Sequence, residues 1–160
     1  MHGFEHQRSS QTLAQGIAEY HRVHPNLVRG PQLSPDAQDF FRCHDVAHVV
    51  FGCGTSLPHE AVVKLSSIFG TTGSLSVLRG YRRHESVDIY RRLALSDIVV
   101  TVISSVVIVP RTIVRCLRQR KRWPWSGHSA HLHVALADLR SEYGIRVAGF
   151  HRERAGEAER

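Results

Sequence analysis

The feature that most constrains this fold is a sharp helix start at residues 34–36, followed by a stripe of mainly apolar residues. Ser34 supplies a capping hydroxyl, Pro35 suits the first helical position, and Asp36 faces the positive end of the helix dipole. After this start, side chains recur at spacings of three and four, which is the spacing of one helix face. They are Ala37, Phe40, Phe41, His44, His48 and Phe51. The pattern therefore predicts a helix whose two histidines face the interior.

A second helix is predicted directly after the first. Gly52 and Gly54 end the first helix, and Pro58 lies at the start of the next one, which runs to Gly70. Because two glycines and a proline lie in the connection, the chain can reverse there and the two helices can pack together. We therefore expect an all-α protein, a single-domain helical bundle that contains this helical hairpin.

One domain is expected, because 160 residues supply one ordinary core but not comfortably two. Residues 1–12 are predicted to be a flexible N-terminal tail, residues 13–150 the helical domain, and residues 151–160 a charged, disordered tail. Within the domain, apolar residues at helical spacing predict a first helix over about residues 13–24. A last helix is predicted over about residues 129–143.

The segment from Leu93 to Val109 is rich in valine and isoleucine. Asp97 and four serine or threonine residues interrupt it, and it is slightly short for a membrane span. We expect the segment to end at Pro110. A buried helix or one wall of a lipid-binding pocket is favoured, while the density of β-branched residues leaves a strand open.

The charge of the chain points to anionic partners. The formal net charge is +7, and it comes almost wholly from arginine, since Lys64 and Lys121 are the only lysines. Arginine favours bidentate anions, so phosphate is indicated, on nucleic acid, on anionic lipid or on a small molecule. The three cysteines show no CxxC spacing, and the first residues lack an apolar signal core. We therefore expect a cytoplasmic protein without disulfides.

A candidate metal site lies on the predicted hairpin. Residues 44–48 read HDVAH, and eleven residues separate His48 from Glu60. Because residues four apart share a helix face, His44 and His48 can direct two ring nitrogens at one point. Asp45 either binds the metal directly or orients a ligand histidine. This donor set suits zinc, our first expectation, and also Fe(II) or Mn(II), with a position left for water or a substrate oxygen.

A structural interpretation of these histidines stays open, because inward-facing histidines are often only part of a core. Other histidines carry less information. His128, His131 and His133 form a second cluster, but they fit no single helix face and are predicted to lie mostly on the surface. His84 and Glu85 form a further pair that can approach the metal from a third helix.

The stretch HDVAHVVFGCGTSLPHEAVVKL resembles the signature of the coenzyme Q (ubiquinone) biosynthesis protein 4 family, which is HDxxH, eleven residues and then Glu. The later stretch LRSEYGI resembles the closing segment of that family, whereas His59 stands where the family pattern has glycine. The resemblance is dense over residues 36–70. It implies an all-helical protein in which Asp45 and Glu60 are catalytic and zinc is the metal. The implied metal ligands are His44, Asp45, His48 and Glu60.

The same resemblance implies a function. Members of the family are associated with oxidative decarboxylation at ring carbon one of a polyprenyl benzoate, or with binding of a prenyl lipid for the biosynthetic complex. It implies a location at the cytoplasmic membrane surface, a prenylated aromatic lipid or prenyl phosphate as ligand, other ubiquinone biosynthesis proteins and a second copy as partners, and no nucleic acid. The residues expected to contact the lipid are Val99, Val102, Val106, Arg79 and Arg83.

Two rival functions stay open. The HD-domain phosphohydrolases also place His beside Asp, and here His21 or His24, with Asp88 or Asp97, would complete such a site and leave Glu60 dispensable. The other rival is a basic helical module without catalysis, which binds nucleic acid or membrane through a run of cationic residues. That run is Arg111, Arg115, Arg118, Arg120, Lys121 and Arg122.

Overall fold

The protein is all-α in a computed structural model, which describes residues 2–27, 33–84 and 95–149. Side chains are described for these residues except 82–84 and 95–105. Helices and short 3₁₀ turns make up the secondary structure of these ranges, and they contain no strand. In chain order they are a turn at Gly3–Glu5, α1 (Leu13–Val23), α2 (Pro35–Phe51), α3 (Leu57–Phe69), α4 (Ser76–His84), α5 (Leu95–Leu117), a turn at His128–His131, and α6 (Leu136–Tyr143).

The predicted helical hairpin consists of α2 and α3, which pack against each other. Helix α2 begins as expected, because the Ser34 hydroxyl accepts a hydrogen bond from the Ala37 N–H at 3.3 Å. It ends at Gly52, whose φ of 66° lies in the left-handed region that glycine adopts without strain. A hydrogen bond of 2.8 Å from the Cys53 N–H to the His48 carbonyl then turns the chain toward α3.

Helix α5 differs from the expectation, because it continues through Pro110 to Leu117. Its most extensive packing is against α3. On this part of α5, Thr112 and Cys116 are buried and Ile108 contacts the core. These contacts hold the helix together where proline removes one backbone donor, and they exclude the strand alternative. Over the described residues, no helix is long and apolar enough to cross a membrane.

The N-terminal residues are not a free tail, which corrects the expectation for residues 1–12. Phe4 is fully buried in the main core. The Glu19 carboxylate on α1 accepts hydrogen bonds from the Gly3 and Phe4 N–H groups at 3.1 and 3.2 Å. These first residues therefore belong to the helical domain. The predicted tail over 151–160 lies outside the described residues.

Arg140 on α6 joins the N-terminal segment to the end of α2. Its guanidinium is almost completely buried and donates to the carbonyls of Val50 at 2.9 Å, Val49 at 2.7 Å and Phe4 at 2.6 Å, and also to that of His6. Burial lowers the pKa of Arg140 to about 10, so the group is cationic at neutral pH. The negative end of the α2 dipole faces this cation and stabilises it.

The predicted last helix is shorter than expected. Residues 128–131 form a 3₁₀ turn, and α6 begins only at Leu136. The connection between them pairs with the start of α1, where the Leu13 N–H donates to the Val134 carbonyl at 2.9 Å and the Ala14 N–H to that of Leu132 at 2.9 Å. These bonds to another part of the chain use carbonyls that a continuous helix would have kept for itself.

Candidate metal centre

Three of the predicted ligands converge in the structure. His44 and His48 lie one turn apart on α2, and Glu60 lies in the first turn of α3. One ligand atom from each residue lies within 4.8 Å of the others. The His48 Nε2 atom is 3.3 Å from Glu60 Oε1, and the His44 Nε2 atom is 3.7 Å from Glu60 Oε2. The hairpin therefore brings together two imidazoles and one carboxylate.

The protonation of His48 follows from its backbone partners. Its Nδ1 atom lies 3.0 Å from the Gly54 carbonyl and 3.3 Å from that of Cys53. Carbonyl oxygens only accept, so Nδ1 carries the proton and donates it. In the neutral ring, Nε2 then holds the lone pair. A metal-ligating histidine is commonly oriented in this way, by a carbonyl that fixes its other nitrogen.

His59 supports the same turn. Its Nδ1 accepts a hydrogen bond of 2.8 Å from the Gly54 N–H, while the Gly54 carbonyl accepts from His48. The backbone N–H and the carbonyl of Gly54 are thus each bound by a histidine, one from α3 and one from α2. This fixes the carbonyl that orients the His48 ring.

The two Nε2 atoms fit a cation. The Nε2 atoms of His44 and His48 are buried and have no hydrogen-bond partner in the described part of the chain. At 3.3 Å, His48 Nε2 and Glu60 Oε1 are close but not aligned for a hydrogen bond. With Nδ1 protonated, a lone pair and a carboxylate oxygen face each other, which costs free energy unless a cation lies between them. The donor set therefore fits a divalent metal ion.

The charges of these groups suit the same role. Burial lowers the pKa of His44 to about 3, so its imidazole is neutral at neutral pH. Burial raises the pKa of Glu60, whereas its contact with His48 and the positive charge of Lys64 lower it; the net shift is downward, and the carboxylate is ionised. Two imidazoles and one carboxylate form the mixed nitrogen and oxygen site that zinc, Fe(II) and Mn(II) accept.

Aromatic side chains hold the two imidazoles in place. The Tyr20 ring on α1 stacks on His48 at 5.1 Å between centroids, with 25° between the planes. Phe40 lies parallel to His44 at 6.3 Å, and the edge of Tyr81 on α4 meets His44 at 5.5 Å. Four helices therefore build the site. The roles of Tyr20 and Tyr81 were not predicted, because their sequence contexts carry no motif.

Gly80 lets α4 approach the site. A Cβ atom at this position would lie 2.3 Å from the Phe40 ring, closer than side chains tolerate. The small residue therefore allows Tyr81, the next residue, to reach His44. The sequence does not show this role of Gly80, because the close approach to Phe40 depends on how α4 packs against α2.

Asp45 is not part of the three-residue cluster. Its Oδ2 lies 2.9 Å from His21 Nε2 on α1, and the carboxylate is buried. Because a carboxylate accepts, the His21 Nε2–H donates. The partner that Asp45 orients is thus a histidine of α1 rather than His44 or His48. Its assignments as a metal ligand and as a catalytic residue stay predictions.

The residues expected to contact a lipid do not meet in one described place. Val106 is 74% exposed on α5, and Arg79 is exposed on α4. The backbones of Val99 and Val102 belong to α5, and that of Arg83 to α4, but their side chains lie outside the described part of the structure. The lipid contact therefore stays a prediction.

The second histidine cluster is only partly at the surface, which corrects the expectation. His128 is buried, and His131 lies 3.2 Å from the Tyr143 hydroxyl and packs on Trp123. Only His133 is exposed as predicted. Tertiary packing of the 3₁₀ turn, rather than helix periodicity, decides these positions. As for the other predicted pair, the His84 side chain and the whole of Glu85 lie outside the described residues.

Three members of the basic run bind other parts of the fold: Arg120 donates to the Ser141 carbonyl at 3.3 Å, Lys121 pairs with Glu142, and Arg115 is the third. The Arg115 guanidinium donates to the Ala148 carbonyl at 3.0 Å. Arg118, Arg120 and Arg122 are exposed. An exposed cationic surface is common in helical proteins, and this run alone identifies no partner.

The chain matches no protein-family model, no curated protein and no solved structure. The assignment of a function therefore depends on the geometry of His44, His48 and Glu60. This arrangement can bind a divalent cation and leave part of its coordination sphere to water or a substrate oxygen.

Proposed function

We propose that the protein is a metal-dependent protein of ubiquinone biosynthesis that acts on a polyprenyl benzoate, with zinc, or otherwise Fe(II) or Mn(II), held by His44, His48 and Glu60. The single observation that carries the metal site is the pair of buried Nε2 atoms beside the Glu60 carboxylate, which have no hydrogen-bond partner among the described residues. The substrate and the reaction come from the resemblance of residues 36–70 to the coenzyme Q biosynthesis protein 4 family.

The protein's own residues would hold and orient the reacting groups. His48 is fixed by the Gly54 carbonyl and by the Tyr20 ring, so its lone pair keeps one direction. Glu60 supplies a negative charge, which imidazole ligands do not carry. When bound, a divalent metal would supply Lewis acidity toward the phenolate or carboxylate oxygens of an aromatic head. Asp45, held by His21 beside the cluster, is the proposed second carboxylate of the site.

The proposed reaction replaces a ring carboxylate by a hydroxyl and releases carbon dioxide. This change removes two electrons from the substrate and adds one oxygen atom to the ring. Dioxygen can accept the electrons and supply the oxygen, or water supplies the oxygen while another oxidant accepts the electrons. Binding of a prenylated lipid for other biosynthetic enzymes is the non-catalytic form of the same proposal. The exposed Val106 and Val107 beside the exposed Arg111 on α5 support a position at an anionic membrane surface.

Metal content per chain tests the proposal. Untagged protein is analysed by mass spectrometry, next to a His44→Ala, His48→Ala double variant and a His6→Ala, His133→Ala control in which two exposed histidines are lost. We expect near-stoichiometric zinc, iron or manganese in the parent and the control, and loss in the double variant with helical circular dichroism retained. If none of the three proteins holds metal after supplementation, the proposal is wrong.

A second candidate is an HD-type phosphohydrolase, and one observation favours it. His21, the upstream histidine that such a site needs, contacts Asp45 at 2.9 Å. Of the aspartates that would complete it, Asp88 lies outside the described residues, and so does the side chain of Asp97. Glu60→Ala separates the two functions. It should abolish metal binding and benzoate turnover in the first case, and leave hydrolysis of p-nitrophenyl phosphate intact in the second.

A further inference from the structure

A cavity of about 500 Å³ lies on a side of α2 next to the metal cluster. It is bounded by α1, α2 and the segment around residues 128–132, and none of His44, His48 or Glu60 lines it. Its walls are mainly apolar and include Ile17, Phe41, Val46 and Leu132. Cavities of this size and character commonly hold a small organic molecule. Its occupant is a separate matter from the metal site.

One end of this cavity carries a cation, Arg42, beside a buried imidazole, His128. Arg42 and His128 both line it. Burial lowers the pKa of His128, and the positive charge of Arg42 lowers it further, so the two side chains lie within electrostatic reach of each other. The Nδ1 atom of His128 is buried and has no hydrogen-bond partner in the described part of the chain. A ligand group that interacts with both residues would satisfy this atom.

Arg42 is available to a ligand. Its described ion pair is with Asp39, one turn earlier on α2, at 3.1 Å, and both side chains are about 60% exposed. Exposed pairs of this kind contribute little to stability, so a ligand anion can replace Asp39. The carboxylate that lines the cavity itself, Asp45, is bound to His21. A ligand anion therefore competes with the exposed Asp39 for Arg42.

We infer that this cavity binds a small, mainly aromatic molecule that carries one anionic group, with the ring among Ile17, Phe41 and Leu132 and the anion between Arg42 and His128. The inference concerns a second binding site and does not depend on the metal. Failure of the proposed function would therefore leave this inference intact, and the reverse also holds.

Calorimetric titration with 2-naphthoate and with its uncharged methyl ester tests this site. For a molecule of this size we expect a Kd of about 0.1–2 mM for the acid, and binding at least about fivefold weaker for the ester. Arg42→Gln should weaken binding of 2-naphthoate by about five- to tenfold. Arg22→Gln, which removes an exposed arginine of α1 outside the cavity, is the matched control and should change nothing.

Two variants fill the cavity from its exposed rim. Leu132→Trp and Gln38→Trp change side chains that are exposed and line it, so neither should unfold the protein. Each should weaken 2-naphthoate binding by at least about tenfold, and the His44→Ala, His48→Ala variant should bind as the parent does. Absence of saturable binding to the parent, or unchanged binding in both tryptophan variants, overturns the site. Equal affinity for acid and ester overturns the anion position.

Discussion

His48 and Glu60 face each other across the turn between α2 and α3, with 3.3 Å between Nε2 and Oε1. Because the Gly54 and Cys53 carbonyls hold the proton on Nδ1 of the same ring, the facing nitrogen has a lone pair. Two electron-rich atoms at this distance need a cation or a second proton on the ring. The predictions below separate these cases.

Metal should stabilise the fold. An ion that binds only the folded state at one hundred times its Kd adds about 2.7 kcal/mol to the free energy of unfolding. For a chain of this length we expect Tm to rise by roughly 5–10 °C when zinc is added to chelator-treated protein. Differential scanning fluorimetry measures the change. A His44→Ala, His48→Ala variant should show no rise, and an equal rise there would place the ion elsewhere.

Acid should destabilise the metal-free protein through His44. Its folded pKa of about 3 lies below the ordinary histidine pKa of 6.5, so the unfolded state binds more protons between these two pH values. Stability is therefore fully present above pH 6.5 and is lost as pH falls from there toward 3, with a slope of at most about 1.4 kcal/mol per pH unit. Urea unfolding from pH 7 to 4.5 measures it.

The control for the acid effect is His44→Phe, which keeps an aromatic ring between Phe40 and Tyr81. In this variant the part of the slope that belongs to His44 should disappear. The slope from Glu60 should remain below about pH 4.5, because its lowered pKa also favours the folded state above that pH. An unchanged slope between pH 6.5 and 4.5 would mean that His44 is not the buried neutral group.

Arg140→Met should strongly destabilise the protein. The substitution leaves four carbonyls, those of Phe4, His6, Val49 and Val50, without their donor. We expect a loss of about 3–5 kcal/mol in the free energy of unfolding, measured in urea. Arg140→Lys retains the charge but cannot reach all four acceptors, and should lose somewhat less.

Arg118→Met is the matched control for Arg140→Met, because Arg118 is exposed. It should change the free energy of unfolding by no more than about 0.5 kcal/mol. If Arg140→Met lowered the free energy of unfolding as little as this control does, the buried guanidinium would not be needed to join α6 to the end of α2.

Gly80→Ala should loosen the metal site. Helix propensity alone would favour alanine within α4 by about 1 kcal/mol. The new Cβ would lie 2.3 Å from the Phe40 ring, however, and overpacking costs about 1–3 kcal/mol. We expect net destabilisation and weaker zinc binding by calorimetry. Adding Phe40→Leu should recover part of the lost stability. If the effects of Gly80→Ala and Phe40→Leu on the free energy of unfolding were simply additive, the close approach of residue 80 to the Phe40 ring would be contradicted.

The hairpin could be predicted because its signals are local. Ser34, Pro35 and Gly52 determine where α2 begins and ends, and helical spacing alone brings His44 and His48 to one face. Glu60 joins them because the turn is short. The hydrogen-bond partner of Asp45, in contrast, is His21 of α1, and the HDVAH motif does not indicate where α1 packs.

The remaining features were missed because they depend on distant contacts. Phe4 is buried only because Glu19 and Arg140 bind its backbone. Helix α5 passes through Pro110 because α3 packs along it. The cavity beside α2 likewise arises from segments far apart in the chain, so no window of the sequence shows it.

The bonds of Arg140 have a consequence for the order of folding. They connect residues 90 to 136 positions apart in the sequence, whereas the α2 and α3 contacts close a short loop. Closing a short loop costs less chain entropy and is faster. The hairpin that carries the histidines can therefore form early, whereas the four bonds of Arg140 form only once α6 has packed against the end of α2.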